Sequence, residues 1–115
     1  MISIKKCENI SERGYTTPVE AYMLFDEGNL KLACIFELRK NKTHILDIKT
    51  FSDVNKMYYD AVIRTVAAYS LSNGIEKIVS RNKNTEGILI ELGFEKEKSL
   101  LSAKSALLLV HQCGE

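Results

Sequence analysis

Residues 71–94 read LSNGIEKIVSRNKNTEGILIELGF, and the way this stretch opens and closes its elements decides the fold. Leu71-Ser72-Asn73-Gly74 has the form of a helix end, because glycine enters the left-handed conformation that closes a helix without a steric penalty. Ile75 to Ser80 is short and rich in β-branched residues, as expected of a buried strand. Asn82, Asn84 and Thr85 carry oxygens that accept from free helix N–H groups, so a second helix is predicted to start there. Ile88, Leu89 and Leu92 recur at helical spacing and give it one apolar face. Gly93 supplies a second stop, with Phe94 placed for a hydrophobic contact back to Leu89 or Ile88.

Working upstream, the helix that ends at Gly74 is long. Apolar or small residues recur at Tyr58, Ala61, Val62, Thr65, Val66, Ala68 and Tyr69, and Ile63 and Ala67 widen the stripe. Ser52 or Asp53 is its predicted cap. Before it stand three runs of strand formers: VEAYMLF (19–25), LKLACIFEL (30–38) and HILDIKTF (44–51). The polar turns DEGN and RKNKT join them closely enough to predict an antiparallel meander. In the middle run Leu30, Leu32, Cys34, Phe36 and Leu38 point one way. Ile2 and Ile4 mark a further short strand, and RGYTT before Pro18 reads as a loop. Strand, long helix, strand in that order implies a right-handed crossover and a parallel pair. The tail reads as two strands, 94–101 and 106–113, around SAKS. The predicted fold class is α+β: a mixed six- to seven-stranded sheet with one long and one short helix.

The bulk numbers bound the function. A chain of 115 residues is enough for one domain, 1–115, with a single core. A net charge of +1 argues against nucleic acid or an anionic membrane as partner, since both need concentrated positive charge. The basic pairs Lys5-Lys6 and Arg39-Lys40 read as solvated strand ends. Cys7, Cys34 and Cys113 are far apart and show no metal or redox spacing, which suits reduced thiols with Cys34 in the core. The start lacks an apolar signal region, and the longest apolar run, ALLLV at 106–110, is too short to span a bilayer. The expectation is a soluble, cytoplasmic protein.

With this element order in hand, 71–94 resembles the second half of a GNAT (GCN5-related N-acetyltransferase) domain. The family pattern there is a helix ending in Gly, a short strand, an Asn, a helix and a terminal Gly-Phe; Gly74, Asn82, Gly93 and Phe94 stand at the matching spacings. In element order the resemblance covers about 19–113. It implies a site for acetyl-CoA, and three departures bear on it. The family holds the pyrophosphate on a loop of the form R/Q-x-x-G-x-G/A opening the long helix, where N–H groups and the dipole favour an anion. Counting back from Gly74 places that loop on VNKMYY, 54–59. Met57 and Tyr59 occupy the glycine positions and Val54 the basic one. Asp53 is expected to cap the helix and repel a phosphate, with Lys56 offsetting part of that charge. The Tyr that protonates the leaving thiolate in many members aligns with Leu89. The two N-terminal helices that help form the acceptor site have only 8–18 to occupy.

What the resemblance retains is Asn82, which orients the pantetheine arm in the family, and the splayed-strand backbone at Ile48, Lys49, Thr50 and Phe51. Asp47 lies where a family general base projects, a role that requires a pKa near neutrality. Each has a plainer reading: Asp47 as a surface carboxylate or partner of Lys49, Asn82 as a turn or cap residue. Tyr58 and Tyr59 read as core or as an aromatic ligand surface, and His44 as a surface residue. His111 and Cys113 are two apart on a predicted strand, but a pair without a third ligand is a poor metal site, and none is expected. EKEK, 95–98, reads as a charged edge that blocks strand pairing.

The resulting expectation is a non-catalytic GNAT-like domain that acts by protein or ligand recognition and carries no cofactor. The alternative is a divergent acetyltransferase using acetyl-CoA or CoA on a small amine or peptide amine. A third reading is an unrelated α+β regulatory module. Without the acceptor layer, apolar surface near the first strands is expected to be covered in a homodimer.

Overall fold

The computed structural model describes residues 1–10, 19–97, 100–106 and 108, with the backbone alone at 8–10. Residues 11–18, with the loop predicted at RGYTT before Pro18, and the His111 and Cys113 pair lie outside the described residues. Among the described residues seven strands form one mixed sheet in the order β1-β2-β3-β4-β5-β7-β6. They are β1 (Ile2–Ile10), β2 (Val19–Asp26), β3 (Asn29–Arg39), β4 (Lys42–Thr50), β5 (Lys77–Ser80), β6 (Glu95–Glu97) and β7 (Leu100–Lys104). The first four are antiparallel neighbours, β5 lies parallel to β4, and β7 and β6 run antiparallel beyond it. Asp26 pairs with Asn29 and Arg39 with Lys42, so both early hairpins turn in two residues. Glu27 and Gly28, like Lys40 and Asn41, have positive φ at both central positions, the geometry that suits the twist of paired strands.

The long helix α1 (Lys56–Ser72) makes the crossover between β4 and β5. Its buried residues are Val62, Ile63, Val66, Ala67 and Ser70. Ile63 and Ala67 therefore sit at the centre of the apolar stripe, and Ala68, read as part of it, is exposed. The cap also differs from the reading. Asn55, not Ser52 or Asp53, accepts the Tyr58 N–H through its side chain at 3.2 Å. The Phe51 N–H still donates to the Lys31 carbonyl at 3.0 Å, so the sheet holds the chain through residue 51 and the helix cannot begin so early.

Both helices stop as their glycines predict. At the end of α1, Gly74 N–H donates to Leu71 O at 3.0 Å and Ile75 N–H to Ser70 O at 2.8 Å. The short helix α2 (Glu86–Glu91), entered through a 3₁₀ turn at Lys83–Thr85, repeats the pattern. There Gly93 N–H reaches Ile90 O at 3.1 Å and Phe94 N–H reaches Leu89 O at 3.0 Å. This is the paired closure that satisfies two orphan carbonyls at each helix end. Phe94 and Leu89 are both buried in the main cluster, as the contact required.

That cluster lies on the α1 face of the sheet and joins Leu24, Leu32, Cys34, Phe36, Ile45 and Ile48 to Val62, Ile63 and Val66. Ile35 is buried with Val19 and Ala21 in a second cluster, with Leu46 packed against it, so β3 is apolar on both faces. The tail is the main correction. SAKS is not a turn between strands: Ser102 to Lys104 belong to β7. Ser102 is buried and its hydroxyl donates to Glu97 Oε1 at 2.9 Å. Ser105 anchors the chain by donating its N–H to Glu76 O at 2.8 Å and its hydroxyl to Ile75 O at 3.2 Å. Ala106 and Leu108 are helical rather than extended, and the rest of the predicted 106–113 strand lies outside the described residues. Glu95, Lys96 and Glu97 form the exposed, charged edge β6.

Candidate functional site

The parting between β4 and β5 has a local cause. Ile35 pairs with Asp47, but the next residue, Phe36, pairs with Ile45, which leaves Leu46 as an extra residue in β4. A bulge of this kind bends its strand and increases the local twist. Parallel pairing of β4 with β5 runs only from Lys42–Lys77 to Ile45–Ser80. Beyond it β4 continues to Thr50 while β5 has ended, so the strands part at the bulge. The sequence carries the signal: apolar positions alternate through Thr43 and Ile45, then resume at Ile48, one residue out of phase.

Asp47 and Asn82 meet at this parting. The Asn82 side-chain N–H₂ donates to Asp47 Oδ1 at 2.9 Å and to the Leu46 carbonyl at 3.3 Å. The same Asp47 oxygen accepts the Ile48 N–H at 2.9 Å. Asn82 also caps the 3₁₀ turn by accepting the Asn84 N–H at 2.8 Å. Asn82 is thus a cap, as its plainer reading has it, and its amide also bridges to β4 at the parting. Ile48 is buried in the main cluster, whereas Lys49, Thr50 and Phe51 are exposed. Cys34, paired with Ile48, is fully buried, and burial followed by the Asp47 carboxylate pushes its thiol up to about 12. His44 is half-buried rather than a surface residue, and burial holds it below the usual imidazole range.

The turn into α1 carries side chains at the two positions where the family pattern has glycine. Asn55 closes the first turn, and no acidic residue lies within that turn. Asp53, expected as the cap, instead stands outside the helix in an exposed position. Met57 is 58% exposed at one of the positions where the family pattern has glycine. Tyr59, at the other, packs against the main cluster, and Lys56 is exposed at the helix start. Leu89, aligned with the family's acid Tyr, is fully buried.

Tyr58 donates its hydroxyl to Asp26 Oδ2 at 2.6 Å and so ties the helix start to the end of β2. This bond is the main reason the Asp26 carboxyl lies below the usual range, and it holds the Tyr58 phenol above its own. For a carboxylate with a lowered folded pKa, the stabilisation is present above the unfolded value and is lost as pH falls through the folded one. For the phenol, it is present below the unfolded value and is lost as pH rises through the folded one. Tyr58→Phe is therefore expected to move the acid unfolding midpoint to higher pH, read by circular dichroism in a pH titration. An unchanged midpoint would contradict the role of this bond.

Sequence reading missed a second polar cluster. Lys6 is not a solvated strand end. Its ammonium lies 2.7 Å from Glu20, 4.0 Å from the centre of the Tyr69 ring, and donates to the Tyr69 hydroxyl at 2.9 Å. Tyr69 in turn donates to Glu20 at 2.8 Å. The partners come from β1, β2 and α1, and no local pattern links them. Among the described residues no three His, Cys, Asp or Glu side chains come together as a metal site, and no helix is long and apolar enough to cross a membrane.

A meander joined by a helical crossover to a parallel strand that parts from its neighbour at a bulge is the fold of GNAT acetyltransferases. Solved structures bear this out. IAA acetyltransferase from Bacillus cereus ATCC 14579 matches with a TM-score of 0.69 at 13% identity, over 90% of this chain and 99% of that one. The ribosomal-protein-S18-alanine N-acetyltransferase from Escherichia coli matches at 0.65 and 12% identity, over 90% and 94%. A Bacillus subtilis acetyltransferase in complex with CoA matches at 0.59 and 10% identity, over 75% and 76%. At these identities the likeness is one of fold. No protein-family model and no curated protein matches the chain. The family's two N-terminal helices would fall between β1 and β2, where the chain has only residues 11–18.

Proposed function

We propose that residues 1–115 are a single non-catalytic domain of GNAT fold that works by recognition, of a protein partner or of a second copy of itself. The observation that carries this reading is the turn into α1, which has no glycine and is capped by Asn55. A phosphate approaches a helix N-terminus closely only where the backbone is bare. Here Met57 and Tyr59 stand in place of glycine, and Asn55 already occupies the Tyr58 N–H. The core position of Leu89 supports the same reading, since it leaves no phenol there to protonate a thiolate. Phe51 just after β4 and Met57 in the first turn of α1, 54% and 58% exposed, are apolar surface suited to recognition.

A second reading, a divergent acetyl-CoA-dependent N-acetyltransferase, draws on the bulge, on Asn82 at the parting, on Lys56 and on a neutral cap. In it Asp47 is the base, and the backbone from Ile48 to Phe51 holds the pantetheine. Titration calorimetry with acetyl-CoA and CoA separates the two. No heat at millimolar ligand is the expected result. Micromolar affinity, with turnover of an amine that is lost in Asp47→Ala, would overturn the first reading in favour of the second.

A further inference from the structure

The two edges of the described sheet are built differently. β6 is three residues long and reads Glu95-Lys96-Glu97, all exposed, a short charged strand of the kind that resists added pairing. β1 is nine residues long, and among the described residues its only strand partner is β2. No proline or glycine interrupts it. Its lysines do not guard the edge either. Lys6 is drawn onto Glu20 and Tyr69, and Lys5 lies over the Phe25 ring at 5.6 Å. Ile2 and Ile4 pack on the main cluster yet stay partly exposed, at the rim where the sheet ends.

One bond fixes the direction of the free backbone groups. Glu27 N–H donates to the Met1 carbonyl at 3.2 Å, so Met1 faces β2. Successive residues of an antiparallel strand face alternate neighbours. The register from Ile2–Asp26 to Cys7–Ala21 is unbroken, so Ser3, Lys5 and Cys7 face β2 as well. Ile2, Ile4 and Lys6 therefore present their N–H and C=O groups outward. The same three residues carry their side chains on the α1 face.

We propose that the β1 edge is a self-pairing surface: two copies join antiparallel through residues 2–6 about a two-fold axis at Ile4, making one continuous sheet. The axis is normal to the sheet, so only residues whose side chains share a face can stand opposite each other. An axis at Lys5 or Lys6 would set that lysine against itself, which is unfavourable. An axis at Cys7 would run the pairing into the register shift between Cys7 and Ile10, and one at Ser3 would shorten the ladder. The axis at Ile4 sets Ile4 against Ile4, Ser3 against Lys5, and Ile2 against the apolar stem of Lys6. It joins the outward N–H and C=O groups to one another and covers both isoleucines. This names the second copy as the partner in the recognition reading above, on which it rests.

The test is sedimentation of the full chain from micromolar to millimolar concentration. The wild type is expected to dimerise. Ile4→Lys and Ile4→Glu each place like charges at the axis, and either variant alone is expected to weaken the dimer by about tenfold or more. Mixing the two variants is expected to restore it, because lysine then meets glutamate; a folding defect would not be repaired by mixing. Native-state hydrogen exchange reads the same interface: the Ile4 amide should slow as protein concentration rises, with the Lys5 amide protected throughout. A wild type that stays monomeric over this range, a dimer that Ile4→Lys leaves as strong, or variants whose mixture does not associate would overturn the proposal. Micromolar CoA binding would overturn the non-catalytic reading without moving the dimer, so the two failures are told apart.

Discussion

Phe36→Ala is expected to lower the unfolding free energy by about 3–5 kcal/mol. Phe36 sits on β3, with strands on both sides, and has no exposed surface. Its ring stacks on Tyr22 at 5.8 Å and meets the Tyr69 ring edge-on at 5.9 Å. Truncation removes a large apolar group from water-free surroundings and leaves a cavity that two rigid neighbouring rings cannot fill. It also loosens Tyr69, whose hydroxyl joins Lys6 to Glu20. Domains of this size are stable by only about 5–15 kcal/mol, so the loss is a large share of the total. Urea denaturation measures it, and a loss below about 1 kcal/mol would mean that the core does not depend on this ring.

The second large effect concerns a buried pair of hydroxyls. Thr43 on β4 and Ser70 on α1 are both fully buried, with their oxygens 2.6 Å apart. Ser70 donates onward to the Val66 carbonyl at 2.8 Å, so the Thr43 hydroxyl is the donor between them. The two substitutions should therefore differ. Ser70→Ala strands the Thr43 hydroxyl in the core and should cost about 1–3 kcal/mol. Thr43→Val keeps the shape, leaves Ser70 bonded to Val66, and should cost about 1 kcal/mol or less. The double variant should be no less stable than Ser70→Ala alone, because no hydroxyl is then left without a partner. Equal losses for the two single variants, measured in urea, would refute the assigned direction of the bond.

Much of the fold was legible because its signals are local. The β2 and β3 pattern, with Leu32, Cys34 and Phe36 on one face, and the glycine stops at Gly74 and Gly93 need only neighbouring residues to be read. The errors fall where distant atoms decide. Ser52, Asp53 and Asn55 are all good caps by type; the choice fell to Asn55 because Phe51 is still tied to Lys31 across the sheet. Ser102 and Ser105 look like turn residues until Glu97 and Ile75 supply partners for their hydroxyls. The meeting of Asp47 with Asn82 joins residues 35 apart, and that of Lys6 with Tyr69 residues 63 apart. Each residue of the first pair was singled out by its resemblance to a family position, but their bond to each other was not readable.

The two tight hairpins have a consequence for the chain's entropy. Each closes its strand pair with a loop of two residues, whereas β4 meets β5 only after the excursion from 51 to 76. Loop-closure entropy grows with the logarithm of loop length, so this joint costs on the order of 2 kcal/mol more to close than either hairpin. The four-residue parallel ladder that rewards it is the shortest join within the first five strands. The seam between β4 and β5 is thus the place where the sheet is least bound by its own connectivity, and the bulge lies at its open end.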